Sequence, residues 1–191
     1  MKVVGILALQ GDFEAHAKLV RSLGAVAREV RVPPDLEGLD ALIIPGGEST
    51  VMTLGIEREG LAEPLRALVG AGKPVLGTCA GMIMLDRDHL GVLDVTTRRN
   101  AFGRQVRSFE ADIELAGVGG GPMHAVFIRA PWVADYGPSV EVLGAVEDHP
   151  VAIRQGNVLA VSFHPEIAGD GRLHETLLGM NGGGGCGGGG G

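Results

Sequence analysis

Val75-Leu76-Gly77-Thr78-Cys79-Ala80-Gly81-Met82-Ile83-Met84-Leu85 is the stretch that decides the architecture. An apolar run of strand length meets Gly-x-Cys-x-Gly, and an apolar segment that reads as a helix follows. A strand passing directly into a helix is the repeating step of an α/β fold, and the flanking sequence repeats it. Val3 to Leu9 and Ala41 to Ile44 are continuous apolar runs, as expected of strands covered on both faces. Gly11-Asp12 precedes a predicted helix over Phe13 to Leu23, in which Phe13, His16, Leu19, Val20 and Leu23 share a face and which Gly24 stops. Val26, Val30 and Val32 mark another strand, closed by Pro33-Pro34. Leu61 to Val69 reads as the next helix. Further on, turns replace helices between short strands at Asp112 to Leu115, Ala125 to Ile128, Val140 to Val146, Val151 to Arg154 and Val158 to Ser162. A last helix spans Leu173 to Met180. The pattern predicts an α/β fold with an open, mixed but largely parallel twisted sheet flanked by helices.

The 191 residues, 45% of them hydrophobic, suffice for one core, and residues 1–181 are assigned to a single domain. Residues 182–191 are glycine apart from Cys186 and read as flexible coil or an artefact outside the fold. A formal net charge of −7 disfavours nucleic-acid phosphates as partners. No apolar run reaches bilayer length, and Gln10-Gly11-Asp12 cuts the apolar N-terminus too short for a signal peptide. With only Cys79 and Cys186 there is no disulfide framework, which suits a reducing cytoplasm. Neither a cysteine pair nor His-x-x-x-His spacing calls for a metal, and nothing calls for a cofactor.

Three motifs carry chemistry. Around Cys79 the sharp turn lifts the side chain clear of the sheet, and the helix start beneath it favours thiolate, the reactive form. The competing reading, a small buried hydrophobe, does not require glycines on both sides. Near the end of the Val158 to Ser162 run stands Phe163-His164-Pro165-Glu166. In extended chain, residues two apart face the same way, so Glu166 is expected to accept from one nitrogen of His164 while the other faces the thiol. His149, between Asp148 and Pro150, reads as a hairpin turn. Pro45-Gly46-Gly47-Glu48-Ser49-Thr50 lies at the carboxyl end of a strand, where ligands bind in open sheets. It lacks the lysine of a phosphate loop, so an oxyanion hole made by Gly47 and Ala80 N–H groups fits better than a plain turn capped by Ser49.

Glycine turn, Gly-Thr-Cys-Ala-Gly and His-Pro-Glu, in this order, resemble the class I (triad) glutamine amidotransferases. Leu7-Ala8-Leu9-Gln10-Gly11-Asp12, Phe102-Gly103-Arg104-Gln105, Ser108-Phe109-Glu110 and Phe127-Ile128-Arg129-Ala130-Pro131 narrow the resemblance to the glutaminase subunits of pyridoxal 5′-phosphate synthases. The resemblance implies a flavodoxin-like fold and L-glutamine as substrate. It also implies ammonia delivery to a separate, barrel-shaped synthase subunit. On the family pattern Gly46, Gly47, Glu48, Arg104, Ile128 and Arg129 contact glutamine, and Gln10 lies near the oxyanion site and the partner interface. By charge, Glu48 suits the substrate ammonium and Arg104 its carboxylate. Alternative expectations are a glutaminase of another pathway, a γ-glutamyl hydrolase, and a non-catalytic redox-sensing partner. The last has no need of a paired His and Glu.

Overall fold

The computed structural model describes residues 1–99, 102 and 108–182. Arg104 and residues 183–191 of the glycine tail, Cys186 among them, lie outside these residues. In chain order the elements are β1 (Val3–Leu7), α1 (Phe13–Ser22), β2 (Val26–Val30), β3 (Ala41–Ile44), α2 (Ser49–Arg58), α3 (Ala62–Gly70), β4 (Val75–Thr78) and α4 (Ala80–Leu85). Then come β5 (Val95–Arg98), β6 (Ser108–Ile113), β7 (Met123–Ile128), β8 (Trp132–Tyr136), β9 (Glu141–Val146), β10 (His149–Gln155) and β11 (Val158–Val161), followed by α5 (Pro165–Ala168) and α6 (Arg172–Gly179).

The central sheet runs β2-β1-β3-β4-β11-β10-β9. Its first five strands are parallel, and β10 and β9 extend it antiparallel. β3, β4 and β11 are buried along their whole length, which explains their unbroken apolar sequences. Alternation divides their side chains between two cores. Val4, Ile6, Ile43, Leu76 and Val161 face one way, with Ala17 and Val20 of α1 and Leu173 and Leu177 of α6. Leu7, Leu42, Ile44, Val75 and Ala160 face the other, with Met52 of α2, Leu65 of α3 and Met82 of α4. No helix among the described residues is long and apolar enough to cross a membrane.

Three expectations need correction. α2 was not foreseen: its Thr, Val and Gly55 positions weaken the helical pattern, and burial of Met52 and Ile56 supplies the stabilisation instead. Its N-cap is Glu48, not Ser49; the Glu48 carboxylate accepts from Thr50 N at 3.1 Å and Val51 N at 2.8 Å. The later strands do not all join the sheet, because β5–β8 and β6–β7 form separate antiparallel ribbons. β7 nonetheless docks on the sheet end: Phe127 stacks on Phe109 at 4.5 Å and meets Phe163 edge-on. The hairpin between β9 and β10 turns at Glu147-Asp148, both at positive φ, so His149 starts β10 and stacks on Trp132.

Candidate active site

The strand order reverses beside β1, and the loops leaving the carboxyl ends of β1, β3 and β4 meet there. They pack tightly: Asp12 N donates to Gly46 O at 3.3 Å and Glu48 N donates to Gln10 Oε1 at 2.6 Å. Cys79 follows β4 at φ 50°, ψ −111°, a strained conformation for a non-glycine residue. Its N–H continues the ladder to Val161 O at 2.8 Å. The strain persists because α4 descends onto β3 at once; a methyl on Gly81 would drive into the Ile44 carbonyl oxygen. The expected turn is therefore present, with Ala80 opening the helix and its N–H without an intrahelical partner.

His164 follows β11 by three residues, and its backbone N–H is held by Val126 O of β7 at 2.9 Å. Its Nδ1 pairs with Glu166 Oε1 at 2.6 Å, the carboxylate being fully buried. The pairing was expected, but its cause differs. His164 caps α5 with Pro165 as first helical residue, so Glu166 reaches back from a helical turn rather than lying alongside in extended chain. Gly46 separates Cys79 from His164. A methyl on it would sit 2.5 Å from His164 Cε1 and 3.2 Å from Cys79 Cβ, so only glycine lets the two side chains close over the loop. The thiol faces Ile128 O at 3.7 Å. Burial alone would lower the His164 pKa, but its polar contacts with Cys79 and Glu166 outweigh it and raise the pKa to about 10. Both partners thus favour a proton on this ring.

Above Cys79 opens a cleft of about 560 Å³, lined by Gly47, Glu48, Ser49, Ala80, Ile83, Arg99, Ser108, Ile128, Arg129 and His164. Most of the predicted residues thus converge. Gly46 lies beneath the pair, and Gln10 supports the loop from behind. Arg129 enters at φ 46°, and Ile128 is partly exposed beside the thiol. Glu48 reaches the cleft, yet its oxygens are turned onto α2, whose N–H groups at Val51 and Thr50 lower its pKa. Sequence reasoning missed Arg99, a cation on the cleft wall near Thr50 and His89. No spacing singled it out, since it stands exposed in the turn just after the short strand β5.

Two histidines behind the site were also missed. His16 and His174 are both inaccessible to solvent. Burial is the first cause that holds both rings neutral. It lowers the His16 pKa well below its usual value, with further lowering from His174 and His164, and it brings His174 down to about 4. The unfolded chain protonates His174 near its ordinary 6.5 while the folded chain refuses the proton until about 4. This contribution to stability is therefore complete above pH 6.5 and is lost as pH falls toward 4. The gap corresponds to about 3 kcal/mol from His174. Urea denaturation at pH 7 and pH 4 should show wild type losing about 3 kcal/mol more than His174→Leu.

The chain matches the SNO glutamine amidotransferase family over residues 6–180. It is 54% identical to the pyridoxal 5′-phosphate synthase subunit PdxT of Mycolicibacterium vanbaalenii, over 92% of this chain and 95% of that one. Identity to PdxT of Acidothermus cellulolyticus is likewise 54%, covering 93% of this chain and 92% of the relative. Among solved structures, a glutamine amidotransferase superposes with a TM-score of 0.86 at 49% identity, covering 92% of this chain and 96% of its own. PurLQS from Thermotoga maritima, at 17% identity and a TM-score of 0.67 over 93% of this chain and 97% of that one, shares the fold. A family match over residues 6–180, on a chain that places a strained cysteine near a carboxylate-held imidazole, leads to one conclusion: this chain belongs to the SNO glutamine amidotransferases.

Proposed function

We propose that the chain hydrolyses L-glutamine through a Cys79-His164-Glu166 triad and passes the ammonia to a barrel-shaped synthase subunit that builds pyridoxal 5′-phosphate. The observation that carries the reading is the geometry: His164, held by Glu166 at 2.6 Å, closes over Gly46 together with Cys79. An imidazolium next to the sulfur stabilises thiolate, and the same proton is at hand for the leaving group.

The Cys79 thiolate attacks the side-chain carboxamide carbon, and the tetrahedral oxyanion rests on the Gly47 and Ala80 N–H groups. His164 gives its proton to the departing nitrogen, leaving a γ-glutamyl thioester and ammonia. The now neutral ring takes a proton from water, the hydroxide attacks the thioester, and glutamate leaves as the thiolate re-forms. Glu166 stabilises the ring whenever it is charged. Gly46, Gly47, Glu48, Arg104, Ile128 and Arg129 hold the substrate, and Gln10 holds the oxyanion loop by its bond to Glu48 N. Arg99 adds a cation for the substrate carboxylate on the described cleft wall. No cofactor or metal enters these steps, and the reading places the chain in the cytoplasm.

Ammonia released into water is protonated and lost to synthesis, so the partner is expected to gate the reaction. Glutamate formation should be slow for the chain alone and rise when the synthase subunit is added. The same rate in both mixtures would remove the gating, and no glutamate in either would remove the glutaminase assignment.

A further inference from the structure

We infer that His16 and His174 form a buried imidazole relay that anchors the second oxygen of Glu166, making both of them positioning residues for His164. The inference rests on the glutaminase reading above and deepens it. Glu166 Oε1 is engaged by His164, but Oε2 is buried without a hydrogen-bond partner among the described residues. A buried carboxylate with one free oxygen is costly unless a donor stands close. His16 Nε2 of α1 stands 3.4 Å from Oε2, with both side chains fully buried. The same nitrogen lies 3.2 Å from Oγ1 of Thr78, the residue before the strained cysteine. On the other side of the ring, His16 Nδ1 meets His174 Nε2 of α6 at 2.8 Å.

The carboxylate dictates the protons along this line. It can only accept, so His16 carries its proton on Nε2. His16 Nδ1 is then a lone pair, and His174 must donate from Nε2. That leaves His174 Nδ1 as a bare acceptor, which agrees with its being the other buried side-chain atom without a partner. Every proton in the line points toward Glu166, and the charges follow the same logic. Burial favours the neutral form of both rings, so His174 donates to His16 and His16 to the carboxylate without either competing for its charge. The whole negative charge then remains available to the His164 imidazolium. A cationic His16 would draw Glu166 away from it. The relay also ties α1 and α6 to the turn that carries His164, so the carboxylate cannot rotate independently of the core.

The test uses the chain with its synthase subunit for kinetics and the chain alone for spectroscopy. Nitrogen NMR of histidine-labelled wild type should show His16 and His174 neutral and protonated on Nε2. His16→Leu should lower kcat about 10- to 100-fold at nearly unchanged KM for glutamine, the range for losing a hydrogen bond to a charged group. His16→Gln, whose amide can donate in place of Nε2, should recover most of that loss. A wild-type His16 protonated on Nδ1 would overturn the relay, as would a folded His16→Leu with wild-type kcat or a His16→Gln no better than His16→Leu. The tautomers are read without substrate, so they test the relay even where a variant does not fold. Failure of the glutaminase reading would show separately, as absence of glutamate from wild type.

Discussion

Cys79→Ala is expected to lower glutamine hydrolysis by roughly 10⁴- to 10⁶-fold, the range for deleting the nucleophile of a triad that acts as a unit. What remains is the background rate from the oxyanion loop and substrate positioning. The fold should survive. Cys79 is nearly buried, alanine is smaller, and both residues bear the same strain at positive φ. Besides its polar contact with His164, the thiol makes only a long contact to Ile128 O among the described residues. Stability should therefore change by no more than about 1 kcal/mol, so lost activity cannot be blamed on unfolding. A second readout is independent of substrate. Burial lowers the His164 pKa, and Cys79 is one of the two partners that raise it to about 10, so NMR titration of the variant should find it lower. Glutamate release within tenfold of wild type would exclude Cys79 as nucleophile.

Glu166→Gln should cost about 10³- to 10⁴-fold in kcat/KM, by the same route that disables a triad whose carboxylate is made an amide. Glu166 accepts from His164 at 2.6 Å on one oxygen and faces His16 at 3.4 Å with the other. An amide has one acceptor oxygen and one donor nitrogen, so it can no longer serve two donors. If the amide nitrogen faces His164, Nδ1 must be bare and the ring proton moves to Nε2, toward the thiol. If the oxygen faces His164, the amide N–H groups confront the His16 Nε2 proton. Either way the negative charge is gone, and the His164 pKa should drop below about 10. Because one partner of a buried pair is removed, urea stability at pH 7 should also fall, by about 1–3 kcal/mol. A variant with wild-type kcat/KM would show that Glu166 neither orients nor charges the ring.

What was legible in the sequence was local. Gly77-Thr78-Cys79-Ala80-Gly81 announces itself because a tight strand-to-helix turn needs small residues on both sides of its central one, and that demand is written within five positions. The buried strands are legible for a similar reason: covering both faces leaves no polar position to blur the run. His164 and Glu166 were paired correctly on the wrong geometry, since a spacing of two serves both an extended strand and a helix start, and Pro165 decides for the helix. α2 escaped because its stability lies in contacts of Met52 and Ile56 with distant strands, not in its own composition. β5 and β8 escaped because half-exposed Val-Thr-Thr-Arg and Trp-Val-Ala-Asp-Tyr become strands only by finding each other. His16 and His174, separated by 158 positions, carry no shared mark in the chain. The one available sign was a titratable residue on the apolar stripe of α1.

Cys79 N is bonded to Val161 O, and Val161 lies three residues before His164. Sulfur and ring are thus mounted on one ladder, like two jaws cut from a single block. The opposite wall of the cleft has a different character. It is made of a glycine loop held by the Gln10 side chain and the Asp12 N–H, and of Arg129, whose backbone sits in a left-handed conformation. A partner docked on this cleft, as proposed above, is expected to move the second wall more readily than the first. On the proposed reading, throttling of the reaction is expected to fall to the Gly46-Gly47 loop and the Arg129 corner, while the distance between sulfur and imidazole stays set by the sheet itself.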